Sequence, residues 1–133
     1  MIYNDKTAIL NNFNVIELRS PVAKHAAEFE KFKKNYIMEH SVFPSYSVTA
    51  SEENFETMLD NIAADDKSLI IAAFAANKIV GLAEMYFTEK RREVLCLVSV
   101  NVLHDYERTG LSSILFSQAK AAAIERDAVM RII

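Results

Sequence analysis

The residues best suited to chemistry lie where an apolar run ends and a helical pattern begins, within residues 94–126. The run VLCLVSVNVL leads into HDYERTGLSS and then into ILFSQAKAAAIER. A strand that enters a helix through such a turn leaves backbone N–H groups unpaired at the positive end of the helix dipole. Gly110 allows close approach of a ligand, and Ser112 and Ser113 are small polar residues suited to a helix start. The pattern predicts a site for a phosphate-bearing ligand, with an ordinary strand-to-helix connection as the alternative.

A carboxylate and a thiol lie within other apolar segments. Glu84 is a carboxylate within the apolar run LAEMYF and a candidate for acid–base chemistry, and the alternative is an outward-facing strand residue. Cys96 has no identifiable histidine partner to activate it, so we interpret it as a buried structural thiol. His25, His40 and His104 are scattered in the sequence without ligand spacing, so we predict that the chain binds no metal.

Hydrophobic periodicity predicts the elements that position these residues. Alternating or continuous apolar runs predict five strands, and apolar residues recurring every three or four positions predict three helices. The strands are 14–19, 68–75, 79–88, 94–103 and 128–133, and the helices run from Ser20 to about His40, from near Ser51, and from the Gly110 turn to about Asp127. Ser20, followed by Pro21, is predicted to cap the first helix, and residues 41–50 to form a loop.

The order β-α-α-β-β-β-α-β ends in a strand–helix–strand crossover, which brings the flanking strands into a parallel pair. We therefore predict an α/β fold with a mixed, mostly antiparallel sheet whose last two strands are parallel.

Composition limits the classes of protein that fit this order. The 133 residues, 51% hydrophobic and 25% charged, predict one soluble globular domain spanning residues 1–133. A net charge of -3 gives no general attraction to nucleic acid, and the short basic clusters at 31–34 and 90–92 read as solvated surface. No stretch approaches the roughly 18 apolar residues of a membrane span, and the N-terminus lacks the apolar region of a signal peptide. We expect a cytoplasmic protein without nucleic-acid or membrane partners.

The element order and the turn resemble the GNAT superfamily of acetyl-CoA-dependent N-acetyltransferases, from Val15 onward and most strongly over 79–133. The family's signature at this turn is Gln or Arg, two residues, Gly, one residue, and then Gly or Ala. Glu107, Gly110 and Ser112 occupy these positions, so only the central glycine agrees. A carboxylate beside phosphates repels them by about 1 to 4 kcal/mol at 4 Å, and Arg108 is the neighbouring cation that could compensate.

The resemblance implies that acetyl-CoA is the cosubstrate and that an amine is the acceptor. Backbone groups at the end of the strand 94–103 are expected to bind the pantetheine arm, and the turn to bind the pyrophosphate. The implied cofactor-binding residues are Val100, Val102, Leu103, Arg108, Thr109, Gly110, Leu111, Ser112 and Ser113. An ammonium cannot attack a thioester, so a base must accept its proton. Some family members place a glutamate base where this chain has Cys96, which leaves Glu84 as the catalytic candidate.

Family members usually continue beyond the last strand with a helix that often carries a general-acid tyrosine, whereas this chain stops at Ile133. We therefore expect a domain that lacks its C-terminal part, or a homodimer in which a second copy covers the edge of the last strand. The function that the resemblance implies is acetylation of a primary amine on a small molecule or peptide. The alternative is a non-catalytic acyl-CoA-binding or interaction module on the same scaffold, which Glu107 and Cys96 favour.

Overall fold

In the computed structural model, which describes residues 1–41 and 54–133, six strands form one sheet with helices on both faces. The strands are β1 (Lys6–Ile9), β2 (Val15–Arg19), β3 (Ser68–Ala75), β4 (Lys78–Lys90), β5 (Glu93–Val102) and β6 (Ala128–Ile132). The helices are α1 (Ala26–His40), α2 (Phe55–Ala64) and α3 (Leu111–Glu125). Strands lie in chain order; β1 to β5 pair antiparallel, and β5 and β6 pair parallel. The mixed α/β fold predicted from the sequence is confirmed.

The central strands β3, β4 and β5 form because their apolar runs can be covered on both faces. Two tight turns connect them. Ala76 and Asn77 between β3 and β4 have positive φ, and so do Arg91 and Arg92 between β4 and β5. Two-residue turns of this kind match the twist of the strands they join, so the three strands form a continuous meander.

The start of α1 differs from the sequence prediction. Ser20 does not cap a helix, because its hydroxyl donates to the Ile70 carbonyl at 2.8 Å and accepts from the Tyr3 N–H at 2.8 Å. The chain then makes a short 3-10 turn over Ala23–His25 before α1 begins at Ala26. The serine thus joins the N-terminal segment to β3.

Two further differences concern the ends of predicted elements. The sequence analysis missed β1, whose residues are mostly exposed and show no apolar alternation, although they pair with β2 from Lys6–Leu18 to Ile9–Val15. The loop predicted at 42–50 and the helix start predicted near Ser51 lie outside the described residues. Within them, Asn54 caps α2 by accepting a hydrogen bond from the Thr57 N–H at 3.1 Å.

The sheet separates two apolar layers. Helices α1 and α2 cover one face through Phe29, Phe32 and Leu59, which are fully buried. Helix α3 covers the other face through four buried residues one turn apart: Leu111, Leu115, Ala119 and Ala123. Among the helices of the described ranges, none combines the length and apolar character that a membrane crossing requires.

Gly81 in β4 lets α3 approach the sheet closely. A Cβ atom at this position would lie 3.0 Å from Leu115 Cδ1, 3.0 Å from Val102 Cγ1 and 3.1 Å from Leu111 Cδ2. Side chains that close cannot all move away in a packed core. The start of α3 therefore depends on the missing side chain at position 81.

We expect Gly81→Val to lower the free energy of unfolding by about 1 to 3 kcal/mol, because overpacking forces α3 away from β4 and β5. Thr88→Val, in the same strand but half-exposed, should change it by about 0.5 kcal/mol or less. Urea unfolding followed by circular dichroism measures both. Equal stability of the two variants would contradict the close packing at Gly81.

Candidate functional site

The edge of β5 that faces β6 is paired over only half of its length. The register with β6 runs from Val94–Ala128 to Val98–Ile132, and the Ile133 N–H donates to the Val98 carbonyl at 3.0 Å. Alternate residues of a strand direct their backbone groups to the same side. Val100 and Val102 therefore point their N–H and C=O groups toward the same side as Val98, where no described strand pairs with them.

Leu103, the third strand residue proposed from the resemblance, is oriented differently. Its N–H donates to the Val80 carbonyl of β4 at 3.0 Å. The open edge thus offers the backbone of Val100 and Val102 to an extended ligand, as a sheet edge offers itself to an added strand.

The chain passes from β5 to α3 through a turn that requires glycine. Gly110 has φ +88° and immediately precedes the helix, and Arg108 also has positive φ. The Thr109 hydroxyl donates to the Tyr106 carbonyl, and the Asn11 N–H donates to the Thr109 carbonyl at 2.9 Å. The loop between β1 and β2 therefore supports the turn from behind.

The first amides of α3 are available to a ligand. The Ile114 N–H donates to the Gly110 carbonyl at 3.0 Å, and the Leu111 N–H lies 3.4 Å from the Thr109 hydroxyl. Ser112 and Ser113 are exposed, and their N–H groups have no acceptor among residues 1–41 and 54–133. Two free amides at the positive end of a helix dipole form a suitable anion site.

The Glu107 carboxylate, beside this turn, contacts two histidine side chains. Its Oε1 lies 3.4 Å from Nε2 of His40, at the end of α1, and 3.7 Å from Nε2 of His104, just after β5. The two rings lie 4.4 Å apart between centroids. Histidines that are scattered in the sequence therefore meet in the fold, and their separation along the chain gave no signal of this.

Glu84 lies on the opposite face of the sheet from α3. It is 3% exposed and pairs directly with Ser99 of β5, so the alternative of an outward-facing residue is wrong. The Asn101 amide donates to Ser99 Oγ at 2.9 Å, and the Tyr36 hydroxyl donates to Asn101 Oδ1 at 2.9 Å. Burial raises the pKa of Tyr36, and the carboxylates of Glu107 and Glu39 raise it further, so the phenol keeps its proton. The result is a buried polar row beside the open half of β5.

The sequence analysis missed Ser99, Asn101 and Tyr36 as members of this row. The signal was present in the alternation of VSVNV, in which the polar residues share one face and the valines the other.

The acetyltransferase (GNAT) family model matches residues 35–133, a range that holds the end of α1, the open β5 edge and the Gly110 turn. This chain belongs to the GNAT acetyltransferase family. Among curated proteins, no sequence matches the chain significantly.

Solved structures with the same fold include three acetyltransferases. An aminoglycoside acetyltransferase from an uncultured soil metagenomic sample, in complex with sisomicin, is 18% identical with a TM-score of 0.65, covering 92% of this chain and 78% of that one. A ribosomal-protein-alanine N-acetyltransferase from Brucella melitensis biovar Abortus 2308 is 15% identical with a TM-score of 0.65, covering 88% and 77%. A predicted acetyltransferase from Clostridium acetobutylicum, with acetyl-CoA, is 12% identical with a TM-score of 0.68, covering 89% and 80%. At these identities the likeness establishes the GNAT fold.

Cys96 of this GNAT domain is a core residue. It is fully buried on the α3 face, opposite Phe87 of β4 and Met130 of β6. Burial raises the pKa of the thiol from 9.0 to about 11. The nucleophilic form of a cysteine is the thiolate, so this environment disfavours covalent catalysis and supports the structural interpretation.

We expect the folded protein to react with iodoacetamide at pH 8 at least about 100-fold more slowly than the protein unfolded in urea, because the raised pKa alone lowers the thiolate fraction by about that factor. Mass spectrometry of timed samples measures the carbamidomethylation of Cys96. Similar rates in the two states would show that the thiol is accessible and activated.

Proposed function

We propose that this GNAT domain is an N-acetyltransferase that moves the acetyl group of acetyl-CoA to a primary amine of a small molecule or peptide. One observation carries the proposal: the unpaired edge of β5 leads directly into the free amides of α3. The pantetheine arm of acetyl-CoA, which ends in a pyrophosphate, suits this arrangement. The strand edge offers hydrogen bonds to the extended arm, and the start of the helix attracts the phosphates. The acceptor's chemical identity beyond its amine is left open.

The residues proposed to hold acetyl-CoA act mainly through their backbones. Val100 and Val102 offer N–H and C=O groups to the pantetheine arm, and Ser112 and Ser113 offer amides to the pyrophosphate. The exposed Arg108 guanidinium adds positive charge beside them. Thr109, Gly110 and Leu111 shape the turn. The contacts of Glu107 with His40 and His104 support this assignment, since they direct its carboxylate toward the end of α1.

Glu84 is proposed as the proton acceptor. The amine nitrogen forms a C–N bond to the acetyl carbonyl as the C–S bond of the thioester breaks, and coenzyme A leaves as a thiolate that takes up a proton lost by the nitrogen and becomes the free thiol. Glu84 is buried beside the open half of β5, on the face that holds Ser99 and Asn101. A carboxylate there can bind the ammonium of the acceptor and accept its proton, directly or through a water molecule.

A non-catalytic acyl-CoA-binding module is the second candidate. Cys96 favours it, because it stands where some GNAT enzymes have a glutamate base and it is sealed in the core. Binding of acetyl-CoA without release of free thiol in the presence of any amine would support this alternative.

We expect Ser112→Glu to weaken acetyl-CoA binding about 10-fold or more, because the added carboxylate repels the phosphates at the helix start. The same change should leave the melting temperature unchanged or higher, because a negative side chain in the first turn stabilises a helix by about 0.3 to 1 kcal/mol. Ser117→Glu, exposed and further along α3, is the control and should bind as the wild type does.

Calorimetric titration with acetyl-CoA and with dephospho-CoA measures these affinities. Equal affinity of Ser112→Glu and Ser117→Glu would remove the proposed anion site, whichever activity the protein has.

We expect Glu84→Gln to lower kcat for the best amine acceptor by about 100-fold or more, since a positioned general base contributes about 10²–10⁴-fold. Glu89→Gln, an exposed change in the same strand, should keep wild-type kcat. Thiol release from acetyl-CoA, measured over a panel of polyamines and peptides, gives the rates. An unchanged kcat with unchanged acetyl-CoA affinity would exclude Glu84 as the base.

A further inference from the structure

Two histidines and two glutamates meet where α1 ends against the chain leaving β5. This His–Glu cluster consists of Glu39, His40, His104 and Glu107. One ligand atom each from Glu39, His40 and His104 lies within 4.8 Å of the other two. Glu107 Oε1 adds a second carboxylate oxygen, 3.4 Å from His40 Nε2 and 3.7 Å from His104 Nε2.

Two of these distances approach the ligand spacing of a tetrahedral metal site. Zinc binds nitrogen and oxygen ligands at about 2.0 to 2.2 Å, which places neighbouring ligand atoms about 3.3 Å apart. The two contacts of Glu107 with the imidazoles are close to this value.

The hydrogen bond of His40 to the backbone of its own helix orients the ring toward Glu107. His40 Nδ1 lies 3.1 Å from the Tyr36 carbonyl, which can only accept, so Nδ1 carries the proton of that bond. The other ring nitrogen, Nε2, then faces the carboxylate oxygen of Glu107 at 3.4 Å. A histidine that donates its other N–H to a backbone carbonyl is the usual arrangement of a metal ligand.

The cluster is held in place before any ion arrives. The His40 ring stacks on Tyr36 with 4.0 Å between centroids, and Glu39 Oε1 accepts from the backbone N–H of His104 at 2.8 Å. The side chains of His40 and Glu107 are 24% and 48% exposed, so an ion can enter from solvent. Ordered, accessible ligands reduce the conformational entropy lost on binding.

We propose that the His–Glu cluster binds a divalent transition-metal ion of the zinc class. Imidazole nitrogens together with carboxylate oxygens favour zinc, cobalt, nickel or copper over calcium and magnesium, which prefer oxygen ligands alone. The bound ion ties the last turn of α1 to the segment that enters the Gly110 turn, and it neutralises Glu107. The proposal is independent of acetyl transfer, because it concerns binding to the protein alone.

The first test is calorimetric titration of zinc chloride into the chelator-treated full chain. We expect one ion per chain with a dissociation constant in the micromolar range or below. His104→Gln and Glu107→Gln should each weaken binding at least tenfold. His25→Gln is the control, because its ring lies against Phe74 outside the cluster, and it should retain wild-type affinity.

Thermal unfolding with and without zinc provides a second readout. Saturating zinc should raise the Tm of the wild type by about 5 °C or more and leave that of His40→Gln and His104→Gln unchanged. The proposal is overturned if zinc shifts no melting curve. It is equally overturned if the histidine variants keep full affinity, or if magnesium binds as tightly as zinc.

Discussion

The pairing of β5 determines the site. β5 is paired with β4 along the whole length of β5, whereas its pairing with β6 ends at Val98. Because β6 is parallel, it needs the crossover helix α3, and that helix must begin at the end of β5 where the edge is open. One topological fact therefore places an unpaired strand edge and a helix N-terminus next to each other. Neither feature needs a particular side chain, which is why they tolerate a signature in which only the glycine agrees.

The two faces of β5 differ in polarity. Cys96 and Val98 point toward α3 and exclude water, while Ser99 and Asn101 point toward α1 beside Glu84. A strand covered on both sides normally carries apolar residues on both. The polar row is thus a local departure from the rule for buried strands, and it lies at the half of β5 where the sheet opens. The cost of burying these groups is reduced by their mutual hydrogen bonds.

The central strands were predictable because apolar runs bounded by turn residues need no tertiary information. The sequence prediction of 68–75 matches β3, and those of 79–88 and 94–103 differ from β4 and β5 by one or two residues. Gly110 was predictable because few other residues tolerate its backbone conformation. β1 was not, since an exposed edge strand shows no apolar period.

The proximity of His40 and His104 could not be read from the sequence. The two residues belong to different elements, and only the packing of α1 on the sheet brings them together. Glu84 posed a different difficulty. Strand alternation places Glu84 on one face of the sheet or the other, but it does not show that helices cover both faces. The burial of Glu84 therefore follows from the packing of the helices and could not be predicted from its sequence neighbours.

The contact between Asn11 and the Gly110 turn shows that the turn depends on residues near the N-terminus. The family match begins at residue 35, yet the Asn11 N–H bonds to the Thr109 carbonyl, and the Asn11 side chain lies against Gly110. The loop between β1 and β2 therefore supports the turn that is proposed to bind the phosphates. A fragment trimmed to the region of family similarity would keep every residue of the signature and lose the support that fixes its shape.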